Sequence, residues 1–306
     1  MGAAWVAGSV RARLLVQHRA GSETALAVAG ARSLDEAAAL LAAARVLPEG
    51  HGWSLERAQR EVAASLALQV RLLAGWVPRD AAGGLRALAS WFELANLEDR
   101  LAFFGGEELR PPYELGTLSS VWAEAASCQS PEELRRLLAR SSWGDPGSDE
   151  VEEVHLALRF AWAHRVSAQV PAARPWAAGA VALLLAAELF VAGRAPDDEL
   201  VRRAGLGSAW RDATSLVELR ERLPTVASWA LEGAEEPELL WHSELTWWRR
   251  VAADAERLVR GRLDQGDLMV GAVVLLAFDA MLLATALAVA ARGAGEPARE
   301  VLDALC

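Results

Sequence analysis

The stretch SLDEAAALLAAARV, residues 33–46, decides how the rest of the chain is read. Ser33 stands three residues before Glu36, at the head of a run of Ala and Leu. A serine there accepts the N–H three residues on, and the glutamate reaches back to the serine N–H, so two unpaired donors at a helix start are satisfied. The signature returns as Ser130-Pro131-Glu132-Glu133 and as Ser215-Leu216-Val217-Glu218, at intervals of 97 and 85 residues. Pro131 takes the first helical position, where its missing N–H costs nothing. The spacing predicts helices over 33–46, 130–139 and 215–223.

Two further elements follow each signature. The first is an amphipathic helix, expected over 54–76, 150–170 and 238–260. In the last, Trp241, Leu245, Trp248, Ala252, Ala255 and Val259 form one continuous stripe at helical spacing. The second is an apolar helix that carries one acid: Glu93 in ASWFELANL, Glu188 in LAAELFVAG and Asp279 in LAFDAMLLA. These acids lie 95 and 91 residues apart. No alternating run of Val, Thr or aromatics persists, so strands are not expected. The chain is therefore expected to be all-α, with three pseudo-repeated helical units over 1–110, 111–204 and 205–306 that pack ridge into groove. Gly and Pro mark breaks at 48–52, 78–84, 105–112, 144–147, 171–175, 193–196, 233–237 and 261–266.

Composition narrows the function. The 306 residues are 53% hydrophobic and 24% charged, with a net charge of −10. Such a chain buries enough to offset its ordering entropy. Its acidic balance speaks against nucleic acid, which needs clustered positive charge. The same balance argues against direct lipid binding, because anionic headgroups repel it. All 31 basic residues are arginine, isoleucine is absent and Asn96 is the only asparagine, a bias that marks a GC-rich genome. Without lysine there is no Walker A loop and no Schiff-base chemistry. Two cysteines, Cys128 and Cys306, point to a reducing compartment. Residues 1–10 lack the basic region of a secretory signal. Residues 268–291 are long enough to span a bilayer, but Asp279 sits within them, and the reading preferred is a buried core helix. The apolar run 177–187 is too short to be a second span.

No catalytic constellation emerges. His18, His51, His155, His164 and His242 show no metal-ligand spacing. Cys128 has no base nearby in sequence, and no G-x-S-x-G occurs. The run Asp197-Asp198-Glu199 follows Pro196 and reads as a helix start, where acids meet the positive end of the dipole. Glu235 and Glu236, ahead of Glu238, read the same way. In Trp247-Trp248-Arg249-Arg250, Trp248 belongs to the buried stripe and Trp247 turns aside toward a contact between units or with a partner. Catalytic, cofactor and metal residues are assigned to none, and the chain is expected not to be an enzyme. The candidate contact residues are Glu93, Asn96, Glu188, Asp279 and Trp247.

One long stretch carries a resemblance. Residues 91–144, WFELANLEDRLAFFGGEELRPPYELGTLSSVWAEAASCQSPEELRRLLARSSWG, hold an acid-x-x-Asn-Leu helix (Glu93, Asn96, Leu97), a Leu-Gly-x-Leu turn (Leu115, Gly116, Leu118) and a helix ending in Trp143-Gly144. VAGSVRARLL near the start, with Arg11 and Arg13, and GAVVLLAFDAMLLATALAVAARG, with Asp279 and Arg292, add to it. In this order the motifs resemble the C-type subunit family of the archaeal and bacterial V-type ATPases, equivalent to the d-type subunit of the eukaryotic vacuolar proton pump. The second and third units lack the Asn of the first.

The resemblance implies a funnel with pseudo-threefold symmetry on the cytoplasmic face of the cell membrane. It implies a non-catalytic central-stalk rotor subunit, with the central shaft subunits and the membrane rotor ring as partners and no direct ligand. The alternatives are an α-solenoid-like helical adaptor that binds another protein, and a helical enzyme built around an apolar cavity. The loops over 105–116 and 196–207 are candidate partner contacts.

Overall fold

Each Ser-x-x-Glu signature opens a helix in the structure, a computed structural model that describes residues 3–77, 82–261, 265–292 and 296–306. Ser33, Ser130 and Ser215 accept the N–H of Glu36, Glu133 and Glu218 at 3.2, 3.3 and 3.2 Å. The glutamates reach one residue further back than expected. They accept the N–H of Arg32, Gln129 and Thr214 at 2.9, 2.8 and 3.0 Å. The serine backbone is extended in all three, at φ −154°, −151° and −149°, and the N–H before it faces the carboxylate.

The molecule is 74% helical, with no strand among the described residues. In chain order the α-helices are α1 (Ala3–Gln17), α2 (Gly21–Ala29), α3 (Leu34–Ala43), α4 (Leu55–Ala74), α5 (Ala82–Phe104), α6 (Trp122–Ala125), α7 (Pro131–Ala139) and α8 (Val151–Gln169). There follow α9 (Arg174–Ala186), α10 (Asp198–Arg203), α11 (Leu216–Arg222), α12 (Thr225–Ser228), α13 (Leu240–Arg260), α14 (Gln265–Arg292) and α15 (Glu296–Leu305). Capped and amphipathic helices occur as α3–α4, α7–α8 and α11–α13; Glu93 and Asp279 lie on α5 and α14, while Glu188 lies beyond the end of α9. Of the expected breaks at 78–84 and 261–266, residues 78–81 and 262–264 lie outside the described residues, and 82–84 and 265–266 are helical, in α5 and α14.

The expected break at 171–175 is helical. Pro171 opens a 3-10 turn, Pro171–Ala173, and Pro175 stands in the first turn of α9, where no N–H is missed. At its other end α9 passes into a π-helical turn, Ala187–Val191, which carries Glu188. This corrects the expectation that 177–187 is too short to span. Two helical stretches, Pro171–Val191 and Gly266–Arg292, are long and apolar enough to cross a membrane by length and composition, and their apolar windows are 50% and 61% buried in the fold. Burial of half or more is also what a core helix shows.

By packing, the described chain divides into two compact units, Met1–Leu85 with Trp248–Cys306, and Arg86–Trp247. Their limits differ from those of the three sequence repeats. In the first unit α14 is the central element, packed against α1, α2, α3, α4 and α15. Leu275, Leu282, Leu283, Leu287 and Val289 are buried along it. Gly271 lets its backbone approach α13: a Cβ there would stand 2.7 Å from the Ala255 carbonyl oxygen. Gln59 of α4 donates to the Ala284 carbonyl at 2.8 Å.

In the second unit, Leu94, Leu97 and Leu101 of α5 pack with Leu134, Leu137 and Leu138 of α7 and with Val154 and Leu158 of α8. Trp91 meets Trp162 edge-on at 5.1 Å. α9 packs on α8, on α12 and on the turn Trp229–Leu231. Gly179 makes that approach possible, since a Cβ there would stand 2.7 Å from Trp229 Cζ2 and 3.0 Å from Trp247 Cδ1.

Candidate functional site

The candidate residues do not form one site. Glu93 and Asn96 lie together on α5, Glu188 follows α9, Trp247 is on α13, and Asp279 lies in the other compact unit.

Glu93 is fully buried. Its Oε1 accepts the N–H groups of Ser120, Val121 and Trp122 at 2.6, 2.7 and 3.0 Å and the Ser119 hydroxyl at 2.9 Å. Its Oε2 accepts the Ser120 hydroxyl, and the Trp143 Nε1–H at 3.1 Å. A carboxylate on one helix thus satisfies the orphan N–H groups at the start of another, α6. Burial pushes the Glu93 carboxyl up. The Ser120 hydroxyl and the N–H groups of Val121, Ser120 and Trp122 outweigh it and hold the carboxyl below the usual range. Behind this network the Arg165 guanidinium stacks on the Trp143 ring at 4.6 Å. Burial lowers the Arg165 pKa, and the charge of Glu93 opposes that.

Asn96, one turn on and also fully buried, grips the backbone of Tyr113. Its Oδ1 accepts the Tyr113 N–H at 2.7 Å and its Nδ2 donates to the Tyr113 carbonyl at 3.1 Å. Two residues outside the sequence-based candidates extend the same face. Asp99 pairs with Arg110 at 3.0 Å. Arg100 donates from Nε to the Cys128 carbonyl at 3.1 Å and lies over Phe103 and Phe104. All four are buried, and together they bind segment 110–128 to α5. The available signal was a polar residue at every turn of an otherwise apolar helix face.

Asp279 on α14 is 5% exposed. It accepts the Gly21 N–H at the start of α2 at 3.0 Å, and Arg19 stands 3.9 Å away. Burial pushes its carboxyl up, and the Gly21 N–H, the Arg19 charge and the Ala20 N–H recover only part of that. Glu188, on the π-helical turn, pairs with Arg194 at 2.9 Å, and the Arg194 N–H donates to the Glu188 carbonyl at 2.8 Å. Trp247 donates its Nε1–H to the Trp176 carbonyl at 2.9 Å, a contact between the second and third sequence repeats.

Three further groups singled out in the sequence are placed by the structure. Asp197 caps α10 through the N–H groups of Glu199 and Leu200. Cys128 is buried, and burial pushes its thiol up. His242 stacks on Trp241 at 3.6 Å. Among the described residues no group of three or more His, Cys, Asp or Glu is placed to hold a metal ion. What the acids can do chemically is hold helices. Glu93, ionised and ringed by donors, has no proton to give at neutral pH. Compared with known proteins, the chain matches no family model and no curated protein sequence.

Proposed function

We propose that the chain is a non-catalytic coupling subunit of a V-type ATPase rotor, peripheral on the cytoplasmic face of the membrane, held between shaft and ring. One observation carries this reading beyond the resemblance. The acid of the first repeat, Glu93, caps the helix that precedes the second capping signature. The acid of the last repeat, Asp279, meets the helix that precedes the first one, across 258 residues. The contact scheme of the repeats thus runs from the last back to the first. A pseudo-threefold funnel has that closure built in. A torque coupling also needs stiffness, which the buried polar clamps from α5 to segment 110–128 and from α14 to the start of α2 favour.

The α-solenoid adaptor is the weaker reading, because in a solenoid each repeat touches only its neighbours and the ends stay apart. The test is a tagged pull-down from the native host in mild detergent. Recovery of a membrane ring protein and a coiled-coil shaft subunit, with ATPase activity in the eluate, is the expected result. Recovery of the free chain, or of unrelated proteins, overturns the proposal.

A further inference from the structure

We propose that the cavity lined by α8, α10 and segment 142–146 binds a free tetrahedral oxyanion of the phosphate class. Two guanidinium groups stand against one dipeptide there. Arg165 of α8 stacks on the Trp143 ring at 4.6 Å. Arg203 of α10 lies against the next residue: a Cβ on Gly144 would stand 2.8 Å from its Nη2. Gly144 holds φ +80°, where a side chain is disfavoured, so that space is left to the guanidinium. His164 of α8 stands on the same cavity wall. Two arginines and a histidine, from two helices packed together, thus line one cavity.

These cations are short of negative charge. Nε and Nη1 of Arg165 are buried with no acceptor. Buried guanidinium donors ordinarily meet carboxylates or carbonyls, and a buried charge without them is costly. Glu93 acts on Arg165 from across the Trp143 ring, but its two oxygens are taken up by the donors of segment 119–122 and by the Trp143 indole. Among the described residues that line the cavity, Asp145 is the one acid. Its Oδ1 accepts the Arg135 Nε–H at 3.0 Å and the Gly147 N–H at 2.9 Å, and Arg203 reaches it through charge alone.

Four more acids, Glu152, Glu153, Glu188 and Asp197, line the neighbouring cavity, which shares Pro146 and Leu200 with this one. Glu188 has Arg194, Asp197 caps α10, and Glu152 and Glu153 are exposed, where water and salt screen them. Size selects the occupant. The cavity measures about 40 Å³. A water takes up about 10–15 Å³ of such space, so there is room for about three, the bulk of one phosphate or sulfate rather than of a nucleotide or a peptide. The planar guanidinium fork matches the oxygens of such an ion. A bound oxyanion supplies the negative charge that Arg165 and Arg203 lack. The inference does not rest on the rotor reading.

The test is isothermal titration of the full chain with inorganic phosphate, set against chloride at the same ionic strength. The expected result is saturable binding of one phosphate per chain, with no matching heat from chloride. R203Q removes a charged donor and should weaken binding about tenfold or more. Arg203 is exposed, so this variant keeps the fold, as circular dichroism checks. R165Q should weaken binding as well, with a cooperative melt to show that the chain is folded. R13Q makes the same charge change in the other compact unit and should leave the affinity unaltered. The absence of saturable binding overturns the proposal. So does a chloride titration that matches the phosphate one, or binding that R203Q leaves unaltered or that R13Q weakens equally.

Discussion

Glu93 and Asp279 occupy matching places, each a single buried acid on an apolar helix that meets the start of another helix, yet the protein pushes their carboxyls in opposite directions. Both carry a desolvation penalty. Glu93 recovers it because three N–H groups, two hydroxyls and an indole converge on it. Asp279 meets one close N–H, and an arginine at 3.9 Å. The number and distance of donors, not burial, separates a carboxyl held below its ordinary range from one pushed above it.

The sharpest way to break this comparison is Glu93→Ala. It leaves buried donors without an acceptor and Arg165 without its counter-charge, for an expected loss of about 3–5 kcal/mol in urea unfolding. A loss below about 1 kcal/mol would mean that the network contributes little. Ser120→Ala removes one hydroxyl from a charged acceptor and should cost about 1.5–3 kcal/mol.

The pH dependence sharpens the contrast further, at about 1.4 kcal/mol for each tenfold change in proton affinity. The Glu93 carboxyl is lowered, so its contribution is present above about pH 4.3 and is lost as pH falls through the folded value. The Asp279 carboxyl is raised, so its contribution is present below about pH 3.9 and is lost as pH rises through the folded value. Unfolding midpoints across the acid range should show Glu93→Gln flattening the first limb and Asp279→Asn the second. Slopes of the same sign at the two sites would refute the contrast. The smallest effect is that of Asp279→Asn at neutral pH. The amide keeps an acceptor for the Gly21 N–H and sheds the buried charge, so stability should stay within about 1 kcal/mol of the parent or rise. A loss above about 2 kcal/mol would show that the ionised form is the one the fold needs.

Much of this was legible residue by residue. The serine caps placed α3, α7 and α11, and α7 ends at Ala139 as the spacing predicts. The amphipathic helices fell within a few residues of α4, α8 and α13. Asp99 and Arg100 stayed hidden because charged residues on a helix ordinarily face water. Only the fold shows that Arg110 and the Cys128 carbonyl lie opposite them. The turn at Glu188 was hidden too, since nothing in Ala187–Val191 announces a π-helical hydrogen-bond pattern.

By itself, then, the sequence determined the helices, because caps, proline positions and apolar periodicity act over one or two turns of chain. It also determined that three acids on apolar helices stand at similar intervals. Only the tertiary structure decided what each acid does. The donors that hold Glu93 come from 26 to 50 residues away, and the one that meets Asp279 comes from 258 residues away. A carboxyl's charge follows from the solvent it loses and the donors it gains, and both are properties of packed space rather than of neighbours along the chain.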